Sequence, residues 1–259
     1  MKIRNFQISS TDYPGKLSVI LFSPECNYRC PTCHAKHLLE EGKIIDEKYF
    51  FDYLDSKKNW IDGVVLCGGE PTLQHDLIYF ARKIKEKGLT IKLDTNGSNY
   101  SLLDNLKKEN LIDYVAMDVK GPAQIYADLI GKEFIDAKDS YEKSIAIVSQ
   151  FPDYEFRTTV VPVIRKNKKI SFMTPESKQE ISHSAPVISF MTPKEIGETA
   201  KLIYDCTGSN QHKYFLQKFV PRENELLDLR METFSKTPSE ILEKGKDEAI
   251  KYLPNTKIR

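Results

Sequence analysis

Each of four short apolar runs in the first half of the chain ends in a polar segment that carries glycine or cysteine. Residues 17–22 lead into Cys26-Asn27-Tyr28-Arg29-Cys30-Pro31-Thr32-Cys33-His34, and residues 64–66 into Gly68-Gly69-Glu70-Pro71. Residues 90–93 lead into Asp94-Thr95-Asn96-Gly97-Ser98, and residues 114–117 into Asp118-Val119-Lys120-Gly121-Pro122. Length and β-branched content predict that these runs are strands. Helices are predicted between them: Asp46 caps one running to about residue 58, a second over about 73–87 stops at Gly88, and a third covers about 102–108.

Further on, Tyr141, Ile145 and Val148 mark a helix face, residues 156–161 read as a fifth strand and residues 214–219 as a sixth. Thr192-Pro193-Lys194-Glu195 combines a capping box with proline at the first helical position and opens a helix to about residue 205. Thr237-Pro238-Ser239-Glu240 repeats that logic before a last helix to about residue 252, with Gly245 an unfavourable residue in its middle. Such alternation predicts an α/β fold with a parallel sheet, helices outside it, and chemistry at the strand C-termini. At 259 residues the chain is expected to be a single domain, 1–259, with a core over about 8–219 and a helical tail over about 223–259.

One spacing breaks the pattern, because roughly 30 residues separate the fifth strand from its helix, more than a βα loop needs. Within them Pro162-Val163-Ile164 recurs as Pro186-Val187-Ile188. Ile170-Ser171-Phe172-Met173-Thr174-Pro175 recurs as Ile188-Ser189-Phe190-Met191-Thr192-Pro193. The two offsets differ, so an insertion at the barrel rim over about 165–186 is expected rather than a solenoid repeat.

Lysine and arginine number 38 against 37 acidic residues, and the resulting net charge of +1 supplies no field for nucleic acid or an anionic membrane. No apolar run reaches the roughly 18 residues of a membrane helix, and the first residues lack a signal-peptide core, so a soluble cytoplasmic protein is expected. Three of the five cysteines crowd into the first polar segment, which suits a metal or redox site in a reducing compartment better than a disulfide framework. Two metals are open. Zinc would complete a Cys3His site with His34 or His37, whereas a [4Fe-4S] cube on Cys26, Cys30 and Cys33 would keep one iron free for a ligand.

The other segments also read two ways when taken alone. Gly68 and Gly69 permit close backbone approach to a ligand or form an ordinary turn; Asp94 is a hard oxygen ligand or a turn cap; Lys120 is an ammonium for a carboxylate or a solvated lysine. Cys67, Cys206 and Trp60 read as packing, and His75, His183 and His212 as surface or satisfied histidines.

The Cys-x-x-x-Cys-x-x-Cys spacing after a first strand is accompanied by ISSTDYPGK (8–16), DGVVLCGGEPTLQ, KLDTNGSN, DYVAMDVKGP and EFRTTVV. Together these resemble the radical S-adenosylmethionine superfamily. Within it they resemble the activating proteins of anaerobic ribonucleoside-triphosphate reductase, which are similar to pyruvate formate-lyase activating enzyme. The likeness spans about 8–219 apart from the insertion. It implies a partial (β/α)6 TIM-like barrel with a [4Fe-4S] cluster on Cys26, Cys30 and Cys33 at its C-terminal rim. The open iron would bind the amino and carboxylate groups of S-adenosylmethionine, and one electron would release a 5′-deoxyadenosyl radical. That radical would take hydrogen from a glycine of a large glycyl-radical enzyme, with flavodoxin or ferredoxin as electron donor.

By the same resemblance Gly68, Gly69 and Glu70 meet the methionyl amino group, and Asp94, Thr95, Met117 and Asp118 surround a monovalent cation beside the carboxylate. Lys120 contacts the cosubstrate, Asn96 and Ser98 serve its ribose or carboxylate, and Gln217 stands where pyruvate formate-lyase activating enzyme carries a cosubstrate-contacting histidine. The sequence departs from the family at Thr32, where an aromatic residue near the adenine is usual, and at Ala35, where asparagine is usual. The alternatives are a radical enzyme acting on a small molecule or RNA, and a zinc-stabilised binding module without catalysis.

Overall fold

The computed structural model describes residues 1–131, 138–165 and 186–259. Strand β1 (Asn5–Ser9) turns back into β2 (Ser18–Ser23), the first predicted strand. After the cysteine segment come the short helix α1 (Lys36–Leu39), then α2 (Glu47–Ser56) and β3 (Gly63–Gly68). Asp46 caps α2 as expected, accepting from the backbone N–H groups of Lys48 and Tyr49. This helix buries Phe50, Phe51 and Leu54, and each such side chain removed from water contributes about 2 kcal/mol.

Helix α3 (Leu77–Glu86), β4 (Thr90–Thr95), α4 (Tyr100–Lys108) and β5 (Tyr114–Asp118) continue the alternation, followed by α5 (Ala123–Ile130), α6 (Lys138–Val148) and β6 (Tyr154–Val160). A hairpin of β7 (Pro162–Arg165) and β8 (Val187–Phe190) then precedes α7 (Pro193–Thr207), β9 (Tyr214–Lys218), α8 (Ser239–Ala249) and β10 (Thr256–Ile258).

Strands β1 to β6 stand in chain order in one sheet that continues through β9 to β10, and within it β1–β2 is the antiparallel pair. Side chains alternate between its faces. Val19, Leu21, Val64, Leu66, Ile91, Leu93, Val115 and Met117 face the helices and are buried in the main core. Ile20, Val65, Tyr114 and Ala116 point the other way and gather with Tyr13 in a second apolar cluster. Beside that cluster the inner face is charged: Glu155 accepts from the Tyr114 hydroxyl at 2.8 Å and from both Arg259 guanidinium nitrogens at 3.0 Å. A mostly parallel sheet with helices outside and its strand C-termini at one rim is the predicted partial (β/α)6 barrel.

The structure corrects several expectations. Strand β1 has a half-exposed pattern and β10 only three residues, so neither carries a readable period, and the tail expected to be helical ends by adding β10 to the sheet. Helix α3 starts at Leu77, because Pro71–Leu73 forms a separate 3₁₀ turn. Thr237 does not cap α8: its buried hydroxyl donates to the Val160 carbonyl at 2.7 Å and accepts from the Phe219 N–H at 2.8 Å. Gly245 is tolerated within α8 because a Cβ there would stand 2.4 Å from Ile196 on α7, so its absence allows the two helices to approach. Trp60, expected to pack, is 76% exposed.

Around the expected insertion, the two Pro-Val-Ile copies lie at the hairpin, with Ile164 opposite Ile188 and Arg165 opposite Val187. Arg165 holds Glu195 of the α7 capping box through both guanidinium termini, at 2.6 and 2.9 Å. The rest of that insertion, the first copy of the longer repeat (170–175) and His183 lie outside the described residues.

Candidate active site

The cysteine segment has no regular structure over 24–35, so its shape comes from backbone bonds made by its neighbours. Gly69 N–H donates to the Ser23 carbonyl and Glu70 N–H to the Glu25 carbonyl, each at 2.8 Å, carrying β2–β3 pairing past the strand ends. Arg29 N–H donates to the Ile130 carbonyl at the end of α5 at 2.8 Å. Leu227 N–H donates to the Cys33 carbonyl at 3.2 Å and Asp228 N–H to the Pro31 carbonyl at 3.0 Å. The glycines exist for this contact. A Cβ on Gly69 would stand 1.8 Å from the Glu25 carbonyl oxygen, and Gly68, at φ +120°, would place one 2.3 Å from Ser23 N. The close approach expected toward a ligand is thus made first to the cysteine segment's own backbone.

Cys26, Cys30 and Cys33 all line one cavity of about 290 Å³, together with Gly68, Gly69, Glu70, Asp94, Thr95, Asn96, Asp118 and Lys120. All three thiols are free of disulfides. Burial pushes Cys30 up to about 11, opposed by the Lys120 ammonium. Cys26 is also raised by burial, although the Tyr28 N–H donates to its sulfur at 3.4 Å. Ligation by a metal centre would draw the protons off.

His34 Nε2 bonds the Val220 carbonyl at 2.9 Å and its ring lies against Phe219 at 5.7 Å, while His37 is exposed on α1. Among the described residues no three Cys, His, Asp or Glu side chains converge as ligands of a single ion would. A [4Fe-4S] cube gives each cysteine a different iron and needs them arranged around it. Three thiols from one segment, facing one cavity with room for a further ligand, fit such a cube with one iron open.

Glu70 is 1% exposed and accepts from Thr72 N–H at 3.1 Å, the Thr72 hydroxyl at 2.5 Å, the Thr95 hydroxyl at 2.8 Å and Asn96 N–H at 2.7 Å. Burial pushes its pKa up while these donors pull it back. Glu70 therefore ties the β3 end to the β4 end. On the inner face, Arg157 donates through Nη1 to Asp94 at 3.2 Å and through Nε to Asp118 at 2.9 Å. Lys92 also pairs with Asp94, and Lys120 Nζ lies 3.5 Å from Asp118 Oδ2. Burial opposes the Asp118 carboxylate, yet Arg157 and Lys120 hold it below the usual carboxylate range.

The monovalent cation expected here does not fit this arrangement. Both carboxylates are already engaged by cations of the chain, Asp94 by Arg157 and Lys92 and Asp118 by Arg157 and Lys120. The Met117 side chain lies on the helix-facing side under Gly97, where an added Cβ would come within 2.1 Å of its Cε, and the Thr95 hydroxyl is committed to Glu70.

Of the remaining predicted residues, Thr32 and Ala35 line the cavity, whereas Ser98 and Gln217 do not; Gln217 accepts from the Thr159 hydroxyl at 3.4 Å. Sequence reasoning missed Arg157, Thr159 and the apolar wall of Tyr28, Leu129, Val161 and Phe219. Arginine in a central strand was the available signal, since a buried charge requires partners. Cys67, expected as packing, also lines the cavity, its thiol pushed up to about 12 by burial.

Residues 20–170 match the Radical SAM superfamily. A relative from Methanocaldococcus jannaschii, named "Putative glycyl-radical enzyme activating enzyme", is 33% identical over 258 residues, covering 97% of this chain and 92% of that one. The 7-carboxy-7-deazaguanine synthase of Thermoplasma acidophilum is 28% identical over 116 residues, covering 43% of this chain and 51% of its own. Among solved structures, Streptococcus suis SuiB bound to S-adenosylmethionine shares the fold with a TM-score of 0.58 at 15% identity, covering 93% of this chain and 51% of that one. This chain thus spans about half the length of SuiB. The family implies a [4Fe-4S] cluster and S-adenosylmethionine, and the cavity's thiols and charges fit both. By the extent of the family match and by its full-length relative, the chain belongs to the Radical SAM superfamily, as one of its enzymes.

Proposed function

We propose that this radical S-adenosylmethionine enzyme installs a glycyl radical on a large partner enzyme, an anaerobic ribonucleoside-triphosphate reductase or a relative of it, with a flavodoxin or ferredoxin as electron donor. The observation that carries the reading is the cavity in which Cys26, Cys30 and Cys33 face Glu70, Asp118 and Lys120. The name and coverage of the M. jannaschii relative support the choice of partner.

When bound, the cluster supplies the electron that cleaves the carbon–sulfur bond of S-adenosylmethionine, giving a 5′-deoxyadenosyl radical. The chain's own groups bind and orient. The Glu70 carboxylate, fixed by its four donors, would offer the cosubstrate's ammonium a charge of the right sign. Lys120 offers a carboxylate the opposite charge, its ammonium favoured by Asp118 and the cysteines despite burial. Tyr28, Leu129, Val161 and Phe219 keep water from one side. In this reading residues 1–259 work as one domain with its core over about 8–219.

A second reading, a radical enzyme acting on a small molecule, is favoured by the similarity to a 7-carboxy-7-deazaguanine synthase. One experiment separates them. Reduced protein, S-adenosylmethionine and the ribonucleotide reductase of the same organism should give a glycyl signal by electron paramagnetic resonance. Cosubstrate cleavage without that signal, across several glycyl-radical enzymes, would favour the small-molecule reading.

A further inference from the structure

We propose that Asn96 raises the reduction potential of the cluster by donating a hydrogen bond to the sulfur of Cys26. Its Nδ2 lies 3.8 Å from Cys26 Sγ and 3.0 Å from Asn27 Oδ1. The amide's orientation follows from its surroundings: Oδ1 accepts from the Ser98 N–H at 2.9 Å, so Nδ2 must face the sulfur. Its backbone is held too, since Asn96 N–H donates to Glu70 Oε2 at 2.7 Å, and the residue is 6% exposed. Asn96 thus reaches from the end of β4 across to the cysteine segment and cannot easily turn away.

The inference rests on Cys26 being a cluster ligand. A donor facing a ligand sulfur withdraws electron density from it and stabilises the reduced, more negative cluster, which raises the potential. The Tyr28 N–H, at 3.4 Å, acts on the same sulfur in the same direction. A side-chain donor held in a buried site acts at low local dielectric, where its field on the sulfur is strong. The Nδ2 amide carries two hydrogens, so Asn27 Oδ1 takes one and helps aim the other at the sulfur, and losing either asparagine should lower the potential.

The test is a redox titration followed by electron paramagnetic resonance on the anaerobically reconstituted full chain, after iron and sulfide are counted. Asn96→Ala removes the donor without adding a charge. Its reduced-to-oxidised ratio at a fixed poise should drop at least threefold, a midpoint lower by about 28 mV for a one-electron couple. Asn27→Ala removes the acceptor that aims the amide and should also lower the midpoint. Lower midpoints in both support the proposal; unchanged midpoints in fully loaded variants overturn it. If Asn96→Ala does not retain a cluster, Asn27→Ala decides alone, and an unchanged or higher midpoint there overturns the proposal. A wild type that binds no iron and sulfide would refute the ligand assignment of Cys26 instead.

Discussion

The Glu25 carbonyl oxygen stands 1.8 Å from where a Cβ on Gly69 would be, so the end of β3 and the entry to the cysteine segment are in direct backbone contact. Gly69→Ala must push one of them away. Such forced backbone shifts cost about 1–3 kcal/mol, and here the displaced piece carries Cys26. Iron content after reconstitution should fall along with the melting temperature. Full cluster loading in a folded Gly69→Ala protein would show that the contact does not shape the site.

Arg157 is the shared partner of Asp94 and Asp118. Arg157→Met removes the bridge between them, but Lys92 still pairs with Asp94 and Lys120 with Asp118, so the loss should stay below the about 3–5 kcal/mol of a buried charge left unpaired. Denaturant unfolding should show that loss, and adding Asp118→Asn should not recover it, because Lys120 would then lose its partner. Because the guanidinium already fills the place between the carboxylates, replacing sodium or potassium by choline should leave wild-type affinity for S-adenosylmethionine unchanged. A strong dependence on a monovalent metal ion would restore the cation site.

Lys120 lines the same cavity beside Asp118. Lys120→Ala should keep the cluster, read from its absorbance and iron count, while weakening S-adenosylmethionine binding by the roughly 1.5–3 kcal/mol of a charged hydrogen bond. Calorimetry showing unchanged affinity would remove Lys120 from the cosubstrate site.

His212 accounts for a separate pH dependence. It is 4% exposed, with Nδ1 2.8 Å from the Tyr154 hydroxyl and Nε2 2.7 Å from the Thr207 hydroxyl, and burial lowers its pKa from 6.5. The unfolded chain therefore takes up this proton first as pH falls. The neutral ring's contribution is complete above about pH 6.5 and is lost progressively below it. Thermal melts between pH 7.5 and 5.5 should show declining stability, and His212→Gln should flatten that decline. Equal slopes in both proteins would assign the effect elsewhere.

The strand ends that build the cavity were legible because each is an apolar run followed by a polar turn, and one face of each strand must be apolar to meet helices. That pattern placed Cys26, Glu70, Asp94, Asp118 and Lys120 at one rim, while the roles expected of them came from the family resemblance. Arg157 was not, because its role depends on Asp94 and Asp118, which lie 63 and 39 residues away in sequence. Gly68 and Gly69 were read as sites of close approach to a ligand, whereas the approach in the structure is to Ser23 and Glu25, set by β2–β3 register, which local sequence does not encode. Likewise the Thr237 motif has every local mark of a cap, and tertiary partners outbid it.

Thr237 itself supplies the last expectation. Its hydroxyl donates to the Val160 carbonyl on β6 and accepts from the Phe219 N–H just after β9, joining two neighbouring strands at the rim. Both backbone groups sit beside cavity-lining residues, since Val161 follows the first and Phe219 carries the second. Thr237→Val preserves the shape but leaves a buried donor and acceptor unmet, at a cost of about 1–3 kcal/mol for each group left unsatisfied. Thr237→Ser keeps both bonds and loses a methyl group worth under about 1 kcal/mol. Urea unfolding should therefore rank wild type above Ser and Ser well above Val. A capping role would instead confine the damage to α8, so hydrogen exchange after Thr237→Val discriminates: protection should drop at Phe219 and along the ends of β6 and β9, with the first turn of α8 unaffected.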